Sequence, residues 1–264
     1  MRLFTVDSFT SMPFKGNPAG VCVLDHPLSD QTYINIAREL NYSETAFVIK
    51  TENRYHLRWF TPTEEVDLCG HATLATAKVL FEVFKVPFTE TIYFDTKSGE
   101  LTVNVFGEFL EMDFPSKEIM LAEADEELKQ FIGKQPIFVG KDSYWCLIEI
   151  ENADDVINFN PDLKLLYQQY QKVFIITAKS IDLKYDFVSR VFAPAIGINE
   201  DPVTGSAHCY LATYWENKLN KNVLRAYQAS ERSGEIICEI LPNQRVLIKG
   251  EAVIMSEIDS YWEV

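Results

Sequence analysis

Positive charge is scarce in this 264-residue chain. Lysine and arginine total 24 against 39 aspartates and glutamates, a formal net charge of −15. Such a field repels phosphate backbones and anionic headgroups, which argues against nucleic acid or a membrane surface as partner. Long hydrophobic runs are missing as well. The longest, Tyr144–Ile148, is far below the ~20 residues of a membrane-spanning helix. The opening Met1–Asp7 alternates like a strand and lacks the apolar core of a signal peptide. The five cysteines (Cys22, Cys69, Cys146, Cys209, Cys238) are odd in number and lack C-x-x-C spacing. That pattern fits buried thiols in a reducing cytoplasm. The histidines (His26, His56, His71, His208) show no H-x-x-x-H or facial-triad spacing, which argues against a metal. No G-x-G-x-x-G, phosphate loop or G-x-S-x-G occurs, so nucleotide binding and serine hydrolysis are not indicated. The expectation is a cytoplasmic protein with no metal and no cofactor.

What is present is a globular composition, 47% hydrophobic and 24% charged, in a length that suits one large or two small domains. Short alternating segments predict strands, among them Tyr55–Phe60, Val173–Ala178 and a long one over Arg245–Ser256. Helical periodicity predicts helices over Ser29–Leu40, His71–Phe84, Glu123–Phe131, Leu163–Tyr170 and Ser206–Lys218. Strands outnumber helices by about two to one without regular alternation, which indicates an α+β fold.

One pattern occurs twice. Arg58-Trp59-Phe60-Thr61-Pro62 precedes Gly70-His71-Ala72 and a helix; Arg190-Val191-Phe192-Ala193-Pro194 precedes Gly205-Ser206-Ala207 and a helix. Each copy has an acidic loop between, containing Asp67 or Asp201. The repetition predicts two similar halves with a seam near Pro115–Asp125.

A glycine at a helix entrance lets a ligand approach backbone N–H groups that have no intrahelical partner, where the helix dipole adds positive charge. Two such entrances suit a carboxylate. Glu44 lies between a helix and an apolar strand. A carboxylate there is either an ordinary capping group or a partly desolvated acid/base. The Glu64-Glu65 pair and Asp125-Glu126-Glu127 read as solvated faces.

Five segments carry a family resemblance. They are Asp7–Thr10 with Pro13–Gly20; Ser43–Phe47; Asp67-Leu68-Cys69-Gly70-His71-Ala72-Thr73; Glu200–Ala207; and Tyr227–Gly234. In this order they resemble the phenazine-biosynthesis PhzF-like isomerases, of the diaminopimelate-epimerase-like superfamily. The resemblance implies two pseudo-symmetric halves, each a curved sheet wrapped around a central helix, with the site in the cleft between. It implies an N-terminal half over 1–115 and a C-terminal half over 116–250, with 251–264 able to return to the first.

By the same resemblance Glu44 is the acid/base, and Gly70, His71, Asp201, Gly205, Ser206 and Asn17 line the substrate pocket. One departure stands out. The two-cysteine epimerases of the superfamily place a thiol at each helix entrance, whereas here Cys69 occupies the first and Thr204 stands opposite. Cys69 is either a reactive thiol beside a helix N-terminus or a small packed residue.

The expected function is a cofactor-independent isomerase that moves a proton within a small carboxylate-bearing substrate. The alternatives are a one-thiol epimerase using Cys69 with Glu44, or a non-catalytic carboxylate-binding protein of the same fold. A homodimer is left open.

Overall fold

Alternating apolar and polar residues give this chain more strand than helix, and a few amphipathic or small-residue stretches form its helices. In the computed structural model residues 1–164, 166, 172–194 and 197–259 are described. The chain divides into two compact units, one of residues 1–114 with 247–264 and one of 115–246.

The first unit runs β1 (Arg2–Ser8), β2 (Asn17–Leu24), α1 (Asp30–Leu40), β3 (Thr45–Lys50), β4 (Tyr55–Phe60), β5 (Glu65–Val66), α2 (Gly70–Glu82), β6 (Ile92–Thr96), β7 (Gly99–Phe106) and β8 (Phe109–Pro115). The second runs β9 (Met120–Leu121), α3 (Glu126–Ile132), β10 (Phe138–Lys141), β11 (Trp145–Glu149), α4 (Ala153–Ile157), β12 (Val173–Lys179), β13 (Phe187–Ala193), β14 (Ile198–Asp201), α5 (Gly205–Leu219), β15 (Val223–Gln228) and β16 (Gly234–Leu241). Then β17 (Arg245–Gly250) carries the chain back and β18 (Ala252–Ile258) pairs antiparallel with β1.

Strand order in the first unit is β18-β1-β2-β3-β4-β6-β7-β8, with β2–β3 and β4–β6 parallel. In the second it is β9-β10-β11-β12-β13-β15-β16, with β11–β12 and β13–β15 parallel. Each parallel pair needs a crossover, and helices supply them: α1 and α2 in one unit, α4 and α5 in the other. A mixed sheet with this connectivity, made twice, is the α+β diaminopimelate-epimerase-like fold. The central helix of the first unit, α2, is nearly engulfed, while 8 of the 15 residues of α5 are buried. Of the 13 residues of α2, 11 are buried, and its run of Gly, Ala and Thr lets it sit close against β1, β2, β3 and β18.

The repeated motif becomes a repeated contact. Arg58 on β4 forms a two-pronged ion pair with Glu65 on β5, at 2.8 and 2.9 Å, and also reaches Asp30 at the start of α1 at 2.9 Å. Arg190 on β13 grips Glu200 on β14 at 2.6 and 2.8 Å and reaches the carbonyls of Ile157, at the end of α4, and of Phe159 just beyond it. Each guanidinium stacks on the phenylalanine two residues on, at 4.8 Å for Phe60 and 5.0 Å for Phe192. Both rings are core residues: Phe60 packs with Tyr33 and Phe47, and Phe192 with Phe159.

Several expectations need correction. Glu65 is not a solvated residue, since the Arg58 pair occupies it; Asp125, Glu126 and Glu127 are exposed as expected, with Asp125 also capping α3 by accepting from the Leu128 N–H. Counting from the paired glutamates, each five residues before its helix glycine, Asp67 corresponds to Pro202, and Val66 corresponds to Asp201. The two acidic loops are therefore not equivalent. The predicted strand over Arg245–Ser256 breaks at Glu251, whose carbonyl accepts from the Thr10 N–H. At the break a Cβ on Gly250 would lie 2.4 Å from the buried Phe9 ring. Strand β15 and helix α4 were not expected from local pattern. Most of the predicted helix over 163–170 lies outside the described residues.

None of the five cysteines is in a disulfide, and all are buried. No described helix is long and apolar enough to cross a membrane.

Candidate active site

In the first unit the parallel pairing of β2 with β3 sets Gly20 beside Thr45. The starts of both strands, Asn17 and the turn carrying Glu44, therefore fall at one edge of the sheet. Antiparallel β1 ends at that same edge, with Ser8 opposite Asn17. The Ser8 hydroxyl donates to the His71 carbonyl at 2.7 Å, which fixes the first turn of α2 there. Gly16 makes the approach feasible: its φ is +68°, and a Cβ would stand 2.1 Å from the Ser8 carbonyl oxygen.

Three reactive side chains meet at this edge. Glu44 Oε2 lies 3.4 Å from His71 Nε2, and Cys69 Sγ lies 3.5 Å from His71 Nδ1. Their ligand-type atoms all fall within 4.8 Å of one another. His71 and Cys69 are buried, and the Glu44 side chain is only 15% exposed. Burial raises the Glu44 carboxyl above the ordinary carboxylate range, while hydrogen bonds from Ser43 and Cys69 pull the other way. Cys69 is the N-cap of α2, yet its side chain does not cap the backbone N–H groups of the helix start; Thr73 donates to the Cys69 carbonyl at 2.6 Å.

The second unit repeats the frame with different chemistry. Thr204 is the N-cap of α5, the place Cys69 holds on α2, and likewise does not cap with its side chain. Its hydroxyl donates to Asp201 Oδ2 at 2.6 Å. Gln228 on β15 secures the turn, accepting from the Thr204 N–H at 2.9 Å and donating to the Asp201 carbonyl at 2.7 Å. Gly205 is buried and Ser206 half-buried at the helix start. His208, one turn in, donates from Nδ1 to the Thr204 carbonyl at 2.7 Å, as Thr73 does for Cys69. Asp67, by contrast, is 68% exposed and paired with Lys97.

The structure thus brings Glu44 and His71 together with Cys69, and seats Asn17 at the same edge. In the other unit it ties Asp201 to Thr204, the residue directly before Gly205 and Ser206. Ser8, Ser43, Thr204 and Gln228 support these groups; in the sequence Thr204 is marked only by its place opposite Cys69, and the other three are not singled out. The signal for all four was present, since they lie in the segments that carry the family resemblance, but only their contacts give them roles.

A duplicated mixed sheet around a central helix, with an uncapped helix start beside a buried acid, defines a protein of the epimerase-like fold class. The chain belongs to the phenazine biosynthesis-like (PhzC-PhzF) family, whose model matches residues 6–258. It is 48% identical over 252 residues to an uncharacterized isomerase of Halalkalibacterium halodurans, covering 95% of each chain. It is similar to the crystal structure of a PhzF-family phenazine biosynthesis protein of Enterococcus faecalis, at 40% identity and a TM-score of 0.94, covering 99% of this chain and 100% of that one. The fold extends to a hydroxyproline epimerase of Agrobacterium vitis, at 8% identity and a TM-score of 0.61, covering 98% and 91%. Family and fold point to isomerase or epimerase chemistry.

Proposed function

We propose that the protein is a cofactor-independent isomerase in which Glu44 moves a proton within a small carboxylate-bearing substrate. The observation that carries this reading is the position of Glu44: a carboxyl buried beside His71 and Cys69 at the N-terminus of α2, raised above its ordinary range. A base needs an affinity for protons close to that of its surroundings, and burial moves a carboxylate in that direction. Glu44 takes a proton from an activated carbon and returns it at another position of the conjugated system. The first-turn N–H groups of α2, without a side-chain cap from Cys69, suit the substrate carboxylate. His71 stands within reach of the charge that develops on the substrate. Such general acid–base transfer contributes typically about 10²–10⁴-fold.

A second reading has one specific observation in its favour. Cys69 is in hydrogen-bond contact with Glu44, so a thiol and a carboxyl together suit a one-thiol epimerase. The Thr204 hydroxyl in place of a second cysteine weighs against a two-thiol inversion.

Solvent-deuterium incorporation into candidate cyclic and amino carboxylates separates the readings. Label at a shifted position supports the isomerase and label at the original carbon the epimerase. No label with any acid that binds supports a carboxylate-binding protein. Glu44→Gln should abolish exchange and change ligand affinity by less than about tenfold, because the amide keeps volume and reach but does not take up a proton near neutral pH. Retained exchange in Glu44→Gln removes the assignment.

A further inference from the structure

We propose that Glu44, Cys69 and His71 form a binding site for a soft divalent cation such as Zn²⁺, and that the ion acts as an inhibitor. Histidine spacing in the sequence gives no hint of it, because one ligand comes from the turn before β3 and two from the entrance of α2. The donor set is a carboxylate oxygen, a sulfur and an imidazole nitrogen, a combination zinc accepts. In a tetrahedral zinc site the ligand-to-ligand edges are about 3.4–3.6 Å, from metal bonds of about 2.0–2.3 Å. The Glu44 Oε2–His71 Nε2 edge is already 3.4 Å. The Cys69 Sγ distance to the same nitrogen is 4.0 Å, so a small rotation of the thiol closes the set. Three protein ligands leave a fourth position for water or an anion.

Burial adds to the fit. All three residues are largely withdrawn from solvent, while Glu44 keeps 15% of its side chain exposed as a route of entry. Binding releases the thiol proton to solvent, and the thiolate, carboxylate and imidazole then share one cation. The ion holds the carboxylate that the proposed proton transfer uses. The inhibitory part of the inference rests on that reading; the binding part does not.

Cobalt(II) reads the binding without any substrate. The full chain, kept reduced and titrated with Co²⁺, should show a thiolate-to-cobalt band in the near ultraviolet that saturates at one ion per chain. Zn²⁺ should displace it. Cys69→Ser should remove the band, His71→Gln and Glu44→Gln should each weaken binding at least tenfold, and His26→Gln should leave it unchanged. Circular dichroism checks that each variant folds; where Cys69→Ser does not, the His71→Gln and Glu44→Gln affinities decide. No band, a band retained in folded Cys69→Ser, or unchanged affinity in either of the other two overturns the site. With an exchange substrate in hand, Zn²⁺ should suppress deuterium incorporation and a chelator restore it. Stimulation by Zn²⁺ overturns the inhibitory assignment. A band without exchange on any acid refutes the proton-transfer reading alone, and exchange without a band refutes the metal site alone.

Discussion

Two buried titratable residues pull stability in opposite directions with pH. Glu44 has its carboxyl raised by burial, so between the ordinary carboxylate value and the raised one the folded state holds the proton more tightly than the unfolded chain. Stability from this group therefore falls as pH rises through that window. At neutral pH the buried charge is a cost, and Glu44→Gln should melt no lower than wild type while losing exchange. The exchange rate itself should rise with pH along a limb set above the ordinary glutamate range. His208 behaves oppositely. Burial depresses it to about 4, so below the ordinary histidine value of about 6.5 the unfolded chain binds a proton that the folded one refuses. Stability should then fall between pH 6.5 and 4, by up to a few kcal/mol. Urea midpoints at pH 7 and pH 5 test this, and His208→Gln should flatten the slope. Cys69→Ala should cost less than tenfold in turnover if Glu44 alone moves the proton; a loss equal to that of Glu44→Gln would favour the epimerase reading.

Between residue and domain, the repeated arginine is the piece that joins elements. In each unit one guanidinium ties a long strand to the short strand leading into the central helix and to the crossover helix before it. The Arg190 side chain is 13% exposed and that of Glu200 21%, so the pair is sheltered enough for both prongs to count. Lysine offers a single point charge and cannot reproduce two parallel hydrogen bonds while stacking on Phe192. Arg190→Lys should lower stability by about 1–3 kcal/mol, seen as a lower urea midpoint at unchanged slope. It should also loosen Asp201, next in chain to Glu200. A ligand affinity that falls together with the midpoint in both Arg190→Lys and Arg190→Met would show that the pair positions that loop, and an affinity unchanged in both would refute it.

Over the whole molecule, the first unit is discontinuous in sequence, closed by residues 247–264 after the second unit has intervened. Strand β18 covers β1 along nearly its whole length, from Leu3 to Ser8. Truncation after Val246 should therefore strip the first unit of an edge and of part of its core. Protease resistance and the thermal transition of residues 1–114 should be lost, which limited proteolysis with mass spectrometry can read. What the sequence by itself determined is local or repetitive. Alternation specified strands such as Tyr55–Phe60, small-residue helix starts marked α2 and α5, and the doubled R-x-F-x-P announced two related halves. The charge balance argued against polyanionic partners. The tertiary structure decided what depends on register and on distant chain. It chose Glu65 and Glu200, rather than Asp67 and Asp201, as the matching acids, because the arginines reach across to the neighbouring strand. It gave Ser8 and Gln228 their supporting bonds. It also put Glu44, 27 residues before His71 in the chain, within 3.4 Å of it, because parallel pairing of β2 and β3 brings both strand starts to the edge where α2 begins. No window of sequence contains that proximity, since it arises from strand pairing and helix packing acting together.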